Sequence, residues 1–151
     1  FEVPVGVDPD EAGPFSRHLE SLDSGDELAM SGPFGSDFYE GEARAVCIVG
    51  GPGIGPAVGI AEAATDAGNE AAVVYRSAEP SHRERLDELE ERGVDVRVVA
   101  DDLTEAVASV LTGTEGEQVF VYGFADFLDD ALVAVEAADA DPDAAKVENF
   151  G

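Results

Sequence analysis

One stretch limits the folds open to this chain more than any other. Ala45-Val46-Cys47-Ile48-Val49-Gly50-Gly51-Pro52-Gly53-Ile54-Gly55-Pro56 joins an apolar run to a glycine-rich turn, and an alanine-rich helical pattern follows at once. An unbroken apolar run of this length suits a parallel strand covered on both faces. The glycines let the backbone turn sharply and approach a ligand with no side chain between. Pro56 suits a first helical position, where a missing N–H costs nothing. The free N–H groups of that turn favour an anion, most naturally a phosphate. The run is not Gly-x-Gly-x-x-Gly, because Pro56 takes the last glycine's place, and no Lys-Ser or Lys-Thr follows Gly55 to make a Walker loop. The strand–glycine turn–helix order favours a phosphate site; the alternative is a tight structural turn that binds nothing.

Downstream the alternation is regular. Helix Pro56–Ala67 is closed by Gly68, then come strand Glu70–Tyr75, helix Ser81–Arg92 closed by Gly93, and strand Val94–Val99. Helix Thr104–Leu111, strand Gln118–Tyr122, helix Phe127–Ala138 and strand Lys146–Phe150 complete the series. Strands alternating with helices of this size predict an α/β fold with a five-stranded, parallel, doubly wound sheet. The first part reads differently. Residues 1–7 alternate like a strand, Asp8–Pro14 is turn chemistry, and Ser16–Leu22 is a short helical turn with Ser16 as N-cap. A turn at Asp23–Asp26, a strand at Glu27–Ser31, a break at Gly32–Gly35 and a linker from Ser36 to Glu42 follow. Strands without intervening helices suggest the last strands of an antiparallel barrel over residues 1–41, ahead of a nucleotide-binding domain over 42–151.

Composition narrows the function classes. With 151 residues and 44% hydrophobic content, the chain can build one full core, or one domain and part of another. Acidic residues number 34 against 8 basic ones, a net charge of -26, and Lys146 is the one lysine. Clear periodicity argues against disorder, so the expectation is a folded, halophile-like surface on which salt screens self-repulsion. Nucleic acid and anionic membranes are then poor partners. No stretch is long and apolar enough to span a bilayer, no signal-peptide pattern opens the sequence, and the expected location is cytoplasmic. The start, inside an apolar alternation and without methionine, suggests a fragment or processed product. One cysteine, Cys47, allows neither an internal disulfide nor a multi-cysteine cluster within this chain and reads as inert strand core. His18 and His82 lie on polar stretches, so no metal site and no nucleophilic triad is expected.

A set of motifs, spread over nearly the whole chain, resembles the ferredoxin–NADP⁺ reductase superfamily. The pieces are Gly13-Pro14-Phe15-Ser16 with Leu19, Gly25-Asp26, Gly32-Pro33-Phe34-Gly35, Gly50–Pro56, Tyr75-Arg76, Val121-Tyr122-Gly123 and Glu148-Asn149-Phe150. The resemblance implies a flavin-binding barrel joined to a nicotinamide-nucleotide domain, with FAD and NAD(P)H as cofactors. It also implies that the other flavin signature lies in a missing N-terminal half. Gly13, Phe15 and Ser16 then match the loop that cradles the FAD pyrophosphate; taken alone, they read as an ordinary helix cap. Gly51, Pro52, Gly53, Ile54 and Gly55 match the turn that binds the nicotinamide dinucleotide's pyrophosphate, with Pro52 where a threonine is common. Arg76 and Ser77 fall where the superfamily places the adenosine ribose.

Of the 8 basic residues, Arg76, Arg83 and Arg85 lie within ten positions, which favours capture of a 2′-phosphate and hence NADPH over NADH. The plainer account is helix salt bridging, such as Glu79–Arg83. Tyr122, Gly123 and Phe124 occupy the place of the Cys-Gly-x-x motif beside the nicotinamide, with Tyr122 in the cysteine's place; otherwise Tyr122 is a core aromatic. Glu148 and Phe150 match the terminal acid and aromatic near the nicotinamide and flavin; edge-strand packing would account for Phe150 as well. The implied activity is hydride transfer between NAD(P)H and FAD, with electrons passed to a separate acceptor such as a ferredoxin or flavodoxin. Two alternatives stay open: a nucleotide-binding or electron-transfer subunit without turnover, and a flavodoxin-like domain for another phosphate ligand. The electron-transfer subunit of dihydroorotate dehydrogenase looks similar as far as the sheet, and differs in a cysteine cluster that this sequence does not carry.

Overall fold

A computed structural model describes residues 13–29 and 37–151. They fall into two compact units that divide between residues 35 and 36. In the first unit, α1 spans Pro14–Glu20, two residues earlier than predicted, with Gly13 as N-cap. Ser16 therefore lies inside the helix and does not cap it. The reason is Pro14, whose fixed φ suits the first helical position. The turn forms as expected: Asp26 N–H donates to Asp23 O at 3.0 Å, and Gly25 has φ +106°. Glu27–Ala29 are not in a strand, which corrects the described part of strand Glu27–Ser31. The strand at 1–7 and the break at Gly32–Gly35 lie outside the described residues.

In the second unit five strands form one parallel sheet, as predicted. They are β1 (Arg44–Gly50), β2 (Glu70–Arg76), β3 (Asp95–Val99), β4 (Glu117–Gly123) and β5 (Lys146–Asn149), in the order β3-β2-β1-β4-β5. Helices α2 (Ile54–Asp66) and α3 (Arg83–Glu91) cover one face, where Cys47, Val49, Val73, Tyr75, Phe120 and Tyr122 point. Helices α4 (Thr104–Val110) and α5 (Ala125–Ala137) cover the other, against Val46, Ile48, Ala72, Val74 and Val121. Both parities of β1 are thus buried, which is why its sequence is apolar without alternation. α3 shows the opposite limit: most of its residues are charged, and it is held by Leu86 and Leu89, its only buried residues. Truncating Leu89 to alanine would remove about 2–5 kcal/mol.

Polar contacts fix both margins of the sheet. At its N-terminal end Arg44 reaches Glu117 at 2.9 Å, Glu70 at 2.8 Å and the Val110 carbonyl at 2.9 Å, joining β1, β2, β4 and α4. Along the β4–β5 side runs the segment at 37–42, which the sequence suggests is a plain linker. Here it is anchored. Tyr122 Oη donates to the Asp37 carbonyl, and Lys146 Nζ donates to Phe38 O at 2.7 Å and to Glu40 and Glu42 at 2.8 Å.

Candidate functional site

The strand order reverses between β1 and β4, and in open α/β sheets the crevice beyond the C-terminal strand ends at such a point is where ligands bind. The glycine turn stands there. β1 ends at Gly50, a short 3₁₀ turn spans Gly51–Gly53, and α2 begins at Ile54. The helix therefore starts two residues before Pro56, which becomes its third residue, because the 3₁₀ turn tightens the approach. Gly53 is indispensable to this packing, since a Cβ there would lie 2.4 Å from the Tyr122 carbonyl oxygen. Gly51 adopts φ +54°.

The expected phosphate cradle separates into parts. Ile54 is 1% exposed, a core side chain, and its N–H donates to the Gly51 and Pro52 carbonyls. Gly51 is exposed, and Pro52 and Gly55 are half-buried at the mouth. No side chain caps α2, so its N-terminus carries no built-in acceptor.

Gly123 has a structural occupant as well. Cβ atoms at Gly50 and Gly123 would come within 2.6 and 2.5 Å of the Phe127 ring, so the two glycines together seat that ring between the ends of β1 and β4. Phe127 is the residue the sequence reading passed over, although an aromatic one helical turn beyond a strand-end glycine is a usable signal. Phe124 is half-exposed and faces Gly51. Tyr122 is 2% exposed, packed edge-on between Phe120 and Phe150, its phenol directed at Asp37. Burial first, and then neighbouring negative groups, push its pKa up. The ring is packed into the core at the end of β4. Glu148 is exposed and pairs in register with Tyr122; Phe150 N–H donates to the Gly123 carbonyl at 3.0 Å.

The three arginines do not converge. Arg76 turns to the α5 face, where it pairs with Asp130 at 2.8 Å and lies 4.7 Å above the Phe127 ring. Arg85, on the opposite face, pairs with Glu62 of α2 at 2.7 Å. Arg83 donates to the Pro80 carbonyl and pairs with no carboxylate among the described residues. The Glu79–Arg83 bridge does not form, since Glu79 precedes α3 and His82 adopts φ +57° at the helix start. Ser77 N–H donates to Val99 O, so the ends of β2 and β3 stay together. Beside them a cleft of about 500 Å³ opens, lined by Ser77, Pro80, Arg83, Leu86 and Val98 among others.

In the first unit, Gly13 and Phe15 are exposed and Ser16 half-buried. Cys47 is fully buried and its thiol is pushed up to about 12 by burial, which makes it inert. Among the described residues no group of His, Cys, Asp and Glu could hold a metal, and no helix is long and apolar enough to cross a membrane.

No family model matches the sequence. It is 29% identical over 105 residues to a probable dihydroorotate dehydrogenase B (NAD⁺) electron transfer subunit of Methanopyrus kandleri, covering 70% of this chain and 38% of that one. The fold matches the cytochrome P450 reductase of Amycolatopsis with a TM-score of 0.68, at 23% identity over 95% of this chain and 50% of that one. It also matches the FAD/NAD-binding domain of a nitric oxide dioxygenase from Vibrio cholerae, with a TM-score of 0.66 at 20% identity over 94% and 66% of the two chains. In fold the chain is similar to FAD/NAD-binding reductase domains, and in sequence to an electron transfer subunit. It has the doubly wound sheet expected from its motifs, and it spans 38% of the curated relative's length.

Proposed function

We propose that the chain is the nucleotide-binding part of a flavin-dependent oxidoreductase that transfers hydride between NAD(P)H and FAD and passes the electrons to a separate acceptor. The observation that carries this reading is the placement of the glycine turn, at the start of a helix without a side-chain cap and at the switch point of the sheet. Residues there fit a dinucleotide. Gly51, Pro52 and Gly55 line the mouth for a diphosphate. Ser77 and Arg83 rim a half-apolar cleft of adenosine size, and Phe124 offers an aromatic edge beside Gly51. When bound, the nicotinamide supplies a hydride and the flavin accepts it. The protein's part is to orient the two rings and exclude water.

In this reading Gly123 and Phe124 bound the nicotinamide end, Glu148 and Phe150 flank it, and Gly13, Phe15 and Ser16 touch FAD. NADPH would draw on Arg76 or Arg83, and a ferredoxin or flavodoxin is a candidate acceptor. A second reading, an electron-transfer subunit serving a separate catalytic partner, is supported by the relative in Methanopyrus kandleri.

The test is titration of the chain with NADH, followed by dye reduction by the chain joined to its flavin-binding portion. Saturable NADH binding that Gly53→Ala weakens is expected, together with flavin absorbance and dye reduction. Binding that is absent, or indifferent to Gly53, overturns the proposal. Binding and flavin without dye reduction would favour the second reading.

A further inference from the structure

Arg76 is the last residue of β2 and stands in register with Gly50, at the threshold of the glycine turn. Its side chain is 24% exposed, and its guanidinium is clamped twice from one side. Phe127 lies 4.7 Å beneath it, and Asp130 of α5 accepts from Nη1 at 2.8 Å. Asp130 is itself 64% exposed and shares its helix face with Asp126, one turn earlier. The cation that ends β2 is therefore already matched by a carboxylate, and the adjoining helix adds more negative charge; Arg83, on the rim of the neighbouring cleft, is a second cation at this end of the sheet. A 2′-phosphate arriving at Arg76 must displace Asp130 or sit beside it, and a carboxylate beside a phosphate repels it. A ribose 2′-hydroxyl meets no such opposition.

Resting on the nucleotide-binding reading above, we propose that Asp130 is a specificity-determining positioning residue. By holding the Arg76 guanidinium against α5, it withholds one of the two cations on which a 2′-phosphate could draw, and so biases the site toward NADH over NADPH. This reverses the preference that the arginine spacing suggests. Asp130 acts through Arg76 and touches no ligand.

The experiment measures dissociation constants of NADH and NADPH for the chain and four variants, with circular dichroism to show that each is folded. Asp130→Asn is expected to strengthen NADPH relative to NADH by about fivefold, the size of one screened, partly exposed charge pair. Asp130→Glu keeps the original ratio, because a carboxylate can still reach Arg76. Asp129→Asn makes the same change of charge without the contact, and leaves the ratio within about twofold. In Arg76→Ala/Asp130→Asn the gain disappears.

A ratio unmoved by Asp130→Asn, or a gain that survives the loss of Arg76, overturns the proposal while NADH binding stands. Failure of the unmodified chain to bind either nucleotide removes the underlying reading, and this inference with it.

Discussion

Tyr122 shows how much a single position decides. A phenol that is 2% exposed and donates to a backbone carbonyl has its one proton committed. Tyr122→Phe should lower stability by about 1 kcal/mol, the worth of one hydrogen bond. NADH affinity should stay within about twofold, since the ring's packing is unchanged; a larger loss in the titration would place the residue in the site. Glu117 makes the opposite kind of commitment. Its side chain is 6% exposed, and burial alone would raise its pKa. Donation from Thr112, Gly113 and Arg44 outweighs that and holds it below the usual carboxylate value of 4.5. A depressed folded pKa gives stability that is present above the unfolded value and lost as pH falls through the folded one. Glu117→Gln should therefore cost about 2 kcal/mol at neutral pH and flatten the decline in unfolding free energy below about pH 4.5. An unchanged acid limb in denaturant titrations would refute the assignment.

Between elements, the sharpest fit is the Phe127 ring of α5 held by the strand-end glycines of β1 and β4. Gly123→Ala puts a methyl 2.5 Å from that ring and should destabilise by about 1–3 kcal/mol. Adding Phe127→Leu should recover part of this, giving a coupling of at least about 0.5 kcal/mol in a double-mutant cycle. Strict additivity would show that the ring yields without strain. Such fits also mark how far the sequence could be read. Strands and helices were legible because hydrophobic periodicity is local, and all five strands lie within two residues of expectation. The starts at Pro14 and Ile54 were not, because a glycine before a proline or a 3₁₀ turn leaves several starts open. The turn's position at the sheet's C-terminal edge followed from the same periodicity. The arginine cluster disperses because nearness in sequence is not nearness across a sheet: Arg76 ends a strand facing α5, while Arg83 and Arg85 ride a helix on the other face. Its true partner, Asp130, is 54 positions away, and nothing local announces it.

For the whole molecule, a net charge of -26 sets two electrostatic effects against each other. Diffuse repulsion among the carboxylates opposes the compact state and weakens as salt is added. Specific pairs favour the fold and weaken too. The chain's one lysine makes the second effect measurable at a single point. Lys146, 16% exposed, pairs with Glu40 and Glu42 and donates to the Phe38 carbonyl, fastening the segment at 37–42 along the sheet. Glu42 sits below its usual range, since donation from Lys146 and from the backbone of Glu40 outweighs the upward push of burial.

Lys146→Met should leave the sheet intact and cost about 2 kcal/mol, because a half-buried carboxylate loses its partner. Amide exchange should quicken at 37–42 and remain unchanged in β1 and β4. Raising salt should increase the melting temperature of both proteins, since dozens of dispersed repulsions outnumber a handful of pairs. The gap between them should narrow, since screening weakens the clip that the variant has already lost. A gap that is constant or widens with salt would mean that Lys146 acts by packing its stem over Phe120, 5.4 Å from its ammonium, and not by charge.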